Sequence, residues 1–287
     1  MSTIQVNTKL LPLKFPNGKE LPYTNPLVMA VVNITPDSFY DGGKFATTED
    51  AIKQAEKLIA EGADILDLGA ASTRPGAEFL TPEQELERLL PVLDHIVKEH
   101  PDAVISVDTF QSEVAKEAVK HGASIVNDIS GGTLDDRMFD VVAKLKVPYI
   151  LMHIQGDPQT MQVNPQYDDV VAEVYEFLAR QSDKARDAGI KQIVVDPGFG
   201  FGKTVEHNFT LLRNLKQFCI LGPVMAGLSR KSMINKVLKT KPENALAGTI
   251  SLNTIALLQG ANILRVHDVK EARQVILLMN EYLKARS

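Results

Sequence analysis

The apolar run LVMAVVN at residues 27–33 decides the fold, because it ends in the polar Asn33 and the same pattern returns along the chain. Seven further short runs of Val, Ile, Leu and Met also lead to polar residues. The eight polar residues are Asn33, Asp67, Asp108, Asn127, His153, Asp196, Ser229 and Arg265. Segments with helical patterns separate the runs. The sequence therefore predicts eight parallel strands, each followed by a helix, that close as a (β/α)8 TIM barrel.

The predicted elements have definite bounds. Strands are predicted at residues 27–33, 64–69, 104–108, 124–128, 149–153, 192–196, 223–227 and 263–266. Helices are predicted at residues 48–61, from residue 81, at about 167–188 and at 269–284. The second of these helices starts with a capping pattern, in which Pro82 and Gln84 follow Thr81. Residues 1–26 are expected to form a hairpin or cover before a single barrel domain at residues 27–287.

Length and charge bound the function. A chain of 287 residues suits one barrel of this kind. The net charge of −5 gives no general attraction to nucleic acid or to an anionic membrane, so a few placed cations must hold any anionic ligand. The single Cys219 excludes an internal disulfide and is expected to be a buried, inert thiol. We also expect no signal peptide, no span of a bilayer and a cytoplasmic location.

The polar strand ends should meet at one mouth of the barrel, since the carboxyl ends of its strands form the active-site face. Asp196 offers two parallel acceptors, which suit an amidine-like ring edge, and the alternative is a turn or helix-cap aspartate. Asp108 and Asn127 end neighbouring strands and could hold other edges of the same ring. This set favours recognition of a heterocycle over glycoside hydrolysis.

Cations that could hold a phosphate group follow the last two strands. Arg265 and His267 are two residues apart in an extended segment, so they should face the same way. The alternative for Arg265 is a salt bridge to Asp268 or to another acid at the rim. Lys231 follows the seventh strand, where this fold often holds phosphate. Asn33 is either a magnesium ligand through its amide oxygen or a turn former.

The segment GFGFGKT at residues 198–204 is similar to a phosphate loop, but the first position that must be glycine is Pro197. We expect its glycines instead to let the backbone pass close beside a flat ligand. His153 ends an apolar strand and is predicted to be a core imidazole. The remaining histidines that are expected to do no chemistry are His95, His100, His121 and His207.

Several segments, in this order, resemble the signatures of the dihydropteroate synthase family, whose members are pterin-binding TIM barrels of the folate pathway. These segments are residues 33–39, 41–43, 72–76, 106–109, 126–128, 151–153, 196–203, 229–232 and 265–268. The resemblance runs from about residue 27 to the end. Ala70 and Ala71 depart from it, because many relatives have Gly and a polar or acidic residue at these positions. Tyr40 also departs from it, because Ser is frequent at this position in the family. These departures concern loop packing rather than the reaction.

The resemblance implies a transferase that joins 6-hydroxymethyl-7,8-dihydropterin diphosphate to 4-aminobenzoate by an SN1-like path and releases diphosphate. It implies Mg²⁺ as cofactor and a homodimer. The catalytic residues would be Asp37, Lys231 and Arg265. The pterin would be held by Asp108, Asn127, Asp196 and Lys231, with Met152 against its ring. The diphosphate would be held by Thr73, Arg74, Arg265 and His267, with Mg²⁺ on Asn33. The aminobenzoate site would be lined by Pro75, Phe201 and Ser232.

Two alternatives are a methyltetrahydrofolate-binding methyltransferase domain and a barrel that binds pterin without catalysis. The first would not need Thr73, Arg74, Arg265 or His267, since it holds no diphosphate. The second would be expected to lack Asp37 or the diphosphate cations. The loops at residues 35–43 and 72–76 are polar and rich in Gly and Pro. We predict that they are mobile without ligand and are ordered by diphosphate and Mg²⁺.

Overall fold

The computed structural model describes residues 10–34, 48–71, 79–157, 161 and 164–285. A short antiparallel hairpin comes first, with strands β1 (Leu13–Lys14) and β2 (Glu20–Leu21). The barrel strands are β3 (Leu27–Asn33), β4 (Ile65–Gly69), β5 (Val104–Asp108), β6 (Ile125–Asp128), β7 (Tyr149–Met152), β8 (Ile193–Asp196), β9 (Met225–Ala226) and β10 (Ile263–Val266). The helices are α1 (Thr48–Ala60), α2 (Pro82–Glu99), α3 (Ser112–Lys120), α4 (Met138–Leu145), α5 (Val170–Asp187), α6 (Val205–Arg213), α7 (Ser232–Leu238), α8 (Leu246–Leu258) and α9 (Val269–Lys284).

The eight strands β3 to β10 form one parallel sheet in which chain neighbours pair, and β10 returns to pair with β3. A parallel bridge between Val195 and Val224 joins the remaining edges, β8 and β9. The sheet therefore closes on itself, with the helices around it. The predicted TIM barrel is confirmed.

Most predicted bounds agree with the structure, and the differences have local causes. β9 is shorter than the predicted strand at 223–227, because Pro223 has no amide hydrogen to donate to a ladder. α5 begins at Val170 rather than near residue 167, because the Asp169 carboxylate accepts the amide hydrogens of Val171 and Ala172 and so caps the helix. α2 starts with the predicted capping box of Thr81 and Gln84.

Among the polar residues expected at strand ends, two lie at least two positions away from the end. Asp67 is inside β4, which continues to Gly69. Ser229 lies beyond β9, in the turn before α7. Both still lie near the carboxyl end of the barrel, so the prediction of one mouth is unaffected.

The inside of the barrel is built in layers, because every second residue of a strand faces inward. Near the amino ends the inward residues are apolar and pack on Leu13 and Phe15 of the hairpin. These inward residues are Met29, Ile65, Ile125, Ile150, Val194, Met225 and Ile263. Two residues further along the same strands stand Asp67, Asn127, Met152, Asp196 and Arg265. The hairpin thus covers an apolar end, and the polar groups gather at the other end. No helix in the described ranges is long and apolar enough to cross a membrane.

Candidate active site

A pocket opens at the carboxyl end of the barrel and contains most of the described residues that the sequence singled out for the pterin site. It is lined by Asn127, Ile129, Met152, Asp196, Phe199, Phe201, Met225, Gly227, Lys231 and Arg265. Five of the eight barrel strands contribute to it directly or through the residue that follows them. Polar groups therefore surround a cavity whose floor and one wall are apolar.

Arg265 lies at the centre of the charged groups. Its Nε donates to Asp67 Oδ2 at 2.6 Å and its Nη2 donates to Asp108 Oδ2 at 2.5 Å. The predicted alternative partner Asp268 instead binds Arg230, through two hydrogen bonds of 2.5 and 3.1 Å. Arg265 therefore forms salt bridges with Asp67 and Asp108, and not with Asp268, the acid nearest to it in sequence.

Asp67 is a site residue that the sequence did not single out for ligand binding. It is fully buried, and its Oδ2 also accepts a hydrogen bond from Asn127 Nδ2 at 3.0 Å. Asp67 Oδ1 and Asn127 Oδ1 are buried and have no hydrogen-bond partner among the residues that the structure describes. Buried polar atoms are normally paired, so these two acceptors suit the N–H groups of a bound ring. The spacing of Asp67 from the inward-facing Ile65 is the signal that could have found it.

The carboxylates of the mouth are held in unusual protonation equilibria. Burial raises the pKa of Asp108 to about 7, with Asp67 adding to the rise and Arg265 opposing it. Burial also raises the pKa of Asp196, against the Gly198 amide and the cations Lys231, Arg265 and Lys203. Such carboxyl groups favour a ligand that supplies N–H donors, because donors stabilise their charged form.

Asp196 forms the turn that was its alternative assignment and also lines the pocket. Its Oδ1 accepts the Gly198 amide hydrogen at 2.7 Å, while the side chain is only 3% exposed. Lys231 approaches from the turn after β9, with Nζ 4.2 Å from the centre of the Phe201 ring. Burial and Arg265 lower the pKa of Lys231 to about 8, and Asp196 and Asp108 oppose this. A cation and a carboxylate thus meet beside an aromatic wall.

Two glycines of the segment 198–204, Gly198 and Gly202, leave room for the protein's own backbone, while the expected approach of the segment to a flat ligand stays a prediction. Gly198 has φ +71°, and a Cβ on it would collide with the carbonyl oxygen of His153. A Cβ on Gly202, with φ +65°, would lie 2.7 Å from the carbonyl oxygen of Gln155. The loop after β8 therefore packs tightly on the loop after β7, and only glycine allows this approach.

His153 is a buried imidazole, as predicted, and it has a partner that the sequence did not reveal. Lys203 Nζ lies 2.9 Å from His153 Nδ1. Since an ammonium group only donates, Nδ1 accepts this hydrogen bond and the ring proton belongs on Nε2. Burial and Lys203 lower the pKa of His153 to about 2, so the ring is neutral. No sequence signal could have joined these residues, because they are separated by 50 positions.

The remaining described candidates lie around the same mouth. His267 Nδ1 lies 3.0 Å from Ser229 Oγ. Burial together with Arg265 lowers the pKa of His267 to about 4. Asn33 is the last residue of β3 and is partly buried, and Ser232 is exposed at the first turn of α7. Cys219 is only partly buried, rather than fully buried as expected, and burial raises its pKa.

Some predicted residues lie outside the described residues. These are Asp37, Tyr40, Thr73, Arg74 and Pro75, together with the loops at 35–43 and 72–76 that carry them. The prediction that the two loops are mobile without ligand is thus untested.

Comparison with known proteins identifies relatives over almost the whole chain. A family model described as "Pterin binding enzyme" matches residues 29–267. The dihydropteroate synthase of Escherichia coli (strain K12) is 42% identical over 275 residues, which cover 95% of this chain and 97% of the relative. That of Haemophilus influenzae is 43% identical over 258 residues, covering 89% of this chain and 93% of the relative.

Solved structures agree in fold as well as in sequence. Xanthomonas albilineans dihydropteroate synthase with 4-aminobenzoic acid is 41% identical, with a TM-score of 0.89, and the match covers 96% of this chain and all of that one. The enzyme from the same organism in complex with 7,8-dihydropteroate is 39% identical, with a TM-score of 0.85 and the same coverage. The likeness thus extends over the barrel, the hairpin and the mouth.

Proposed function

The chain belongs to the dihydropteroate synthases, within the family of pterin-binding enzymes, and we propose how the pocket at its barrel mouth carries out their reaction. The pocket joins 6-hydroxymethyl-7,8-dihydropterin diphosphate to 4-aminobenzoate and forms 7,8-dihydropteroate and diphosphate. The observation that carries this assignment is the meeting of Asp196, Asn127, Lys231 and Arg265 around one cavity walled by Met152 and Phe201. Relatives solved with 4-aminobenzoic acid and with 7,8-dihydropteroate support it.

The polar side chains of the pocket would read the edges of the pterin. The buried Asp196 carboxylate accepts from the N–H and amino groups of the pyrimidine edge, because two parallel acceptors match two parallel donors. Asn127 and Asp108 take other edges of the ring system. Met152, which is 4% exposed, packs against the flat face. Lys231 completes the set as a donor to a ring acceptor.

Cations at the same mouth would take the diphosphate. Arg265 and His267, with Thr73 and Arg74, bind its oxygens and offset the charge that grows as the group leaves. The pKa of His267, lowered to about 4, would rise beside an anion, so that binding favours a proton on the ring. Removal of diphosphate leaves positive charge shared between the pterin methylene and the ring, and Asp37 would stabilise it.

The bond to 4-aminobenzoate then forms without a strong base. An aniline nitrogen is neutral at physiological pH, so its lone pair is free to react. It attacks the methylene carbon once the C–O bond to diphosphate has broken. The nitrogen loses its proton after the new C–N bond forms. Phe201, Pro75 and Ser232 hold the aromatic ring in line with the methylene, and exclusion of water from this wall prevents hydrolysis of the cation.

The residues at the mouth fit the proposed Mg²⁺ cofactor. The amide oxygen of Asn33 is a hard ligand of the kind that Mg²⁺ accepts, at the end of β3. Among the described residues no group of three or more His, Cys, Asp and Glu could hold a metal ion. Mg²⁺ sites commonly combine one or two protein ligands with substrate phosphates. When bound, Mg²⁺ would neutralise charge on the leaving diphosphate.

The assignment predicts turnover that needs both substrates and the metal. The purified chain should release diphosphate and form 7,8-dihydropteroate only when pterin diphosphate, 4-aminobenzoate and Mg²⁺ are all present, as measured by a coupled diphosphate assay and chromatography. Pterin binding without release of diphosphate would favour the non-catalytic barrel. Methyl transfer from methyltetrahydrofolate would favour the methyltransferase alternative.

The order of binding is a second expectation. The loops at 35–43 and 72–76 carry Asp37, Thr73 and Arg74, so diphosphate and Mg²⁺ supply the charges that these residues bind. Since Pro75 lies on one of these loops, aminobenzoate should bind weakly to the free protein and tightly when diphosphate and a pterin are present. Titration of aminobenzoate with and without these ligands measures the difference. Tight binding to the free protein that neither addition changes would contradict the order.

We also propose that the chain forms a homodimer. Large apolar side chains are exposed on two helices that pack side by side, Ile255 and Leu258 on α8 and Leu277, Leu278, Tyr282 and Leu283 on α9. Apolar patches of this kind mark surfaces that proteins cover. Light scattering should give a molar mass twice that of the chain. In Leu278→Glu the measured mass should fall to that of a single chain. Leu11→Glu, a change at an equally exposed apolar residue of the amino-terminal segment, is the control that should leave the mass unchanged.

The cytoplasmic location expected from the sequence stays a prediction.

A further inference from the structure

The side chain of Lys203 is enclosed by the protein behind the candidate active site. It is 4% exposed, and its Nζ lies 2.9 Å from His153 Nδ1. The same nitrogen donates to the carbonyl oxygens of Gly198 and Phe201, at 2.9 Å each, and lies 3.4 Å from the carbonyl oxygen of His153. An ammonium group has three donors. Lys203 therefore uses all of its donors inside the protein and has none left for a substrate.

Two of the atoms that Lys203 binds, the Gly198 and Phe201 carbonyl oxygens, belong to the loop at residues 198–203, which borders the pocket. The Gly198 amide hydrogen holds the Asp196 carboxylate, and the Phe201 amide donates to the Gly198 carbonyl at 3.1 Å. Phe201 is the aromatic wall beneath Lys231. The carbonyls of Gly198 and Phe201 thus converge on one cation, which holds the loop in a tight turn around it.

The loop has few other ways to keep this shape. Gly198, Gly200 and Gly202 all have positive φ, and such glycine-rich backbone has much conformational freedom to lose on folding. Contacts from outside the loop, among the described residues, include the hydrogen bonds from Gly200 N to Asn208 Oδ1 and from Tyr167 Oη to the Gly202 carbonyl. Neither reaches the carbonyl of Phe201. The Phe201 ring packs on Ile129, Met152 and Ile154. Lys203 adds a hydrogen bond to the Phe201 main chain, so it fixes the backbone from which the ring projects.

The positive charge of Lys203 is both favoured and opposed by its surroundings. Asp196 attracts the Lys203 ammonium, while burial and the neighbouring Lys231 disfavour it and lower the pKa of Lys203 to about 7. His153 stays neutral beside it and so accepts a hydrogen bond without adding a second positive charge.

We propose that Lys203 is a positioning residue that fixes the place of Phe201 and thereby sets the affinity for 4-aminobenzoate. The inference rests on the proposed function, since it assigns Phe201 to the aminobenzoate wall. Lys203 touches no substrate. It acts through the Gly198 and Phe201 carbonyls, whereas the pterin contacts proposed for Asp108, Asn127 and Met152 come from other strands. Asp196, which accepts the Gly198 amide hydrogen, is itself fixed in the ladder of β8. Loss of the ammonium should therefore affect aminobenzoate more than pterin.

The test uses Lys203→Met, which keeps an unbranched chain of similar length but removes the donors, and Lys203→Gln, which keeps two donors without the charge. Gln181→Met is the matched control. Gln181 is also buried, and its Nε2 donates to a backbone carbonyl, that of Gly131 in the loop after β6. This control variant loses a buried side-chain hydrogen bond to a backbone carbonyl, and that hydrogen bond lies outside the loop at 198–203.

Two measurements are made on each variant. The first is KM for each substrate in the full reaction. For Lys203→Met we expect KM for aminobenzoate to rise at least about tenfold and KM for pterin diphosphate to change by less than about threefold, which corresponds to the loss of roughly one buried hydrogen bond to a charged group. Lys203→Gln should lie between the native chain and Lys203→Met, and Gln181→Met should leave both KM values as they are.

The second measurement is hydrogen exchange of the amides at residues 198–202, followed by mass spectrometry, which does not depend on activity. We expect faster exchange in Lys203→Met and unchanged exchange in Gln181→Met. Unchanged exchange in Lys203→Met, or an equal rise of KM for both substrates, would overturn the positioning role. If Lys203→Met does not fold, the same comparisons with Lys203→Gln decide. A native chain without dihydropteroate formation would instead refute the proposed function, and hydrogen exchange would still test the hold of Lys203 on the loop.

Discussion

Asp196→Asn is expected to weaken pterin binding at least about tenfold, because the loss of one partner of a buried charged hydrogen bond costs on the order of 2–5 kcal/mol. Asp196 is buried at the end of β8 and lines the pocket. Asparagine presents an amide N–H₂ in place of one acceptor, so a donor of the ring would face a donor of the protein. The remaining Asn oxygen can still accept the Gly198 amide hydrogen, so the turn should survive.

The measurement is calorimetric titration of 6-hydroxymethyl-7,8-dihydropterin into the native chain and the variant. Asp128→Asn is a control from another barrel strand, β6, since Asp128 is also buried, accepts a hydrogen bond from Tyr149 Oη at 2.6 Å and does not line the pocket. It should lower the free energy of unfolding but keep pterin affinity. Equal pterin affinity of Asp196→Asn and the native chain would rule out the proposed role of Asp196.

Arg265→Ala should weaken binding of the pterin diphosphate by about 10- to 100-fold, and much more than binding of the free hydroxymethyl pterin, because hydrogen bonds between charged groups contribute about 1.5–3 kcal/mol. It should also lower the free energy of unfolding by roughly 3–5 kcal/mol, since the removal of one partner of a buried ion pair leaves uncompensated charge. Here two carboxylates, Asp67 and Asp108, lose their shared cation.

The stability loss in this variant should depend on pH. In the native chain burial already raises the pKa of Asp108 to about 7, and removal of Arg265 raises it further. A carboxyl group whose pKa is higher in the folded than in the unfolded state binds more protons when folded, so folding becomes less favourable as pH rises through that interval. The variant should therefore be closest to the native stability at acid pH, near the ordinary pKa of an aspartate, and furthest from it above neutrality.

Titrations with the two pterin ligands, and urea unfolding at several pH values, measure these effects. Arg273→Ala provides the matched control, because Arg273 forms a partly buried ion pair with Asp64 away from the mouth, at the loop before β4. It should cost stability without changing the ratio of the two ligand affinities. An equal loss of affinity for both ligands in Arg265→Ala would contradict a diphosphate clamp.

Much of the fold was predictable because parallel buried strands are continuous apolar runs with clear ends. β3, β5, β10 and α9 have the predicted bounds, and the capping box at Thr81 begins α2 as expected. The meeting of Asp108, Asn127 and Asp196 at one mouth was predictable for the same reason, since residues near the carboxyl ends of parallel strands gather at one edge. β9 was overestimated because a short apolar run does not show how many of its residues join the ladder.

The sequence by itself determined the barrel, the face that carries the chemistry and the residue types that meet there. These follow from local properties, namely apolar runs, their polar ends and the twofold alternation of side chains in a strand. Only the tertiary structure decided which polar groups pair. It joined Arg265 to Asp67 and Asp108 rather than to Asp268, and it joined Lys203 to His153. Such pairs form between residues far apart in the chain, because a buried charge takes whichever partner the closed barrel brings within hydrogen-bond distance.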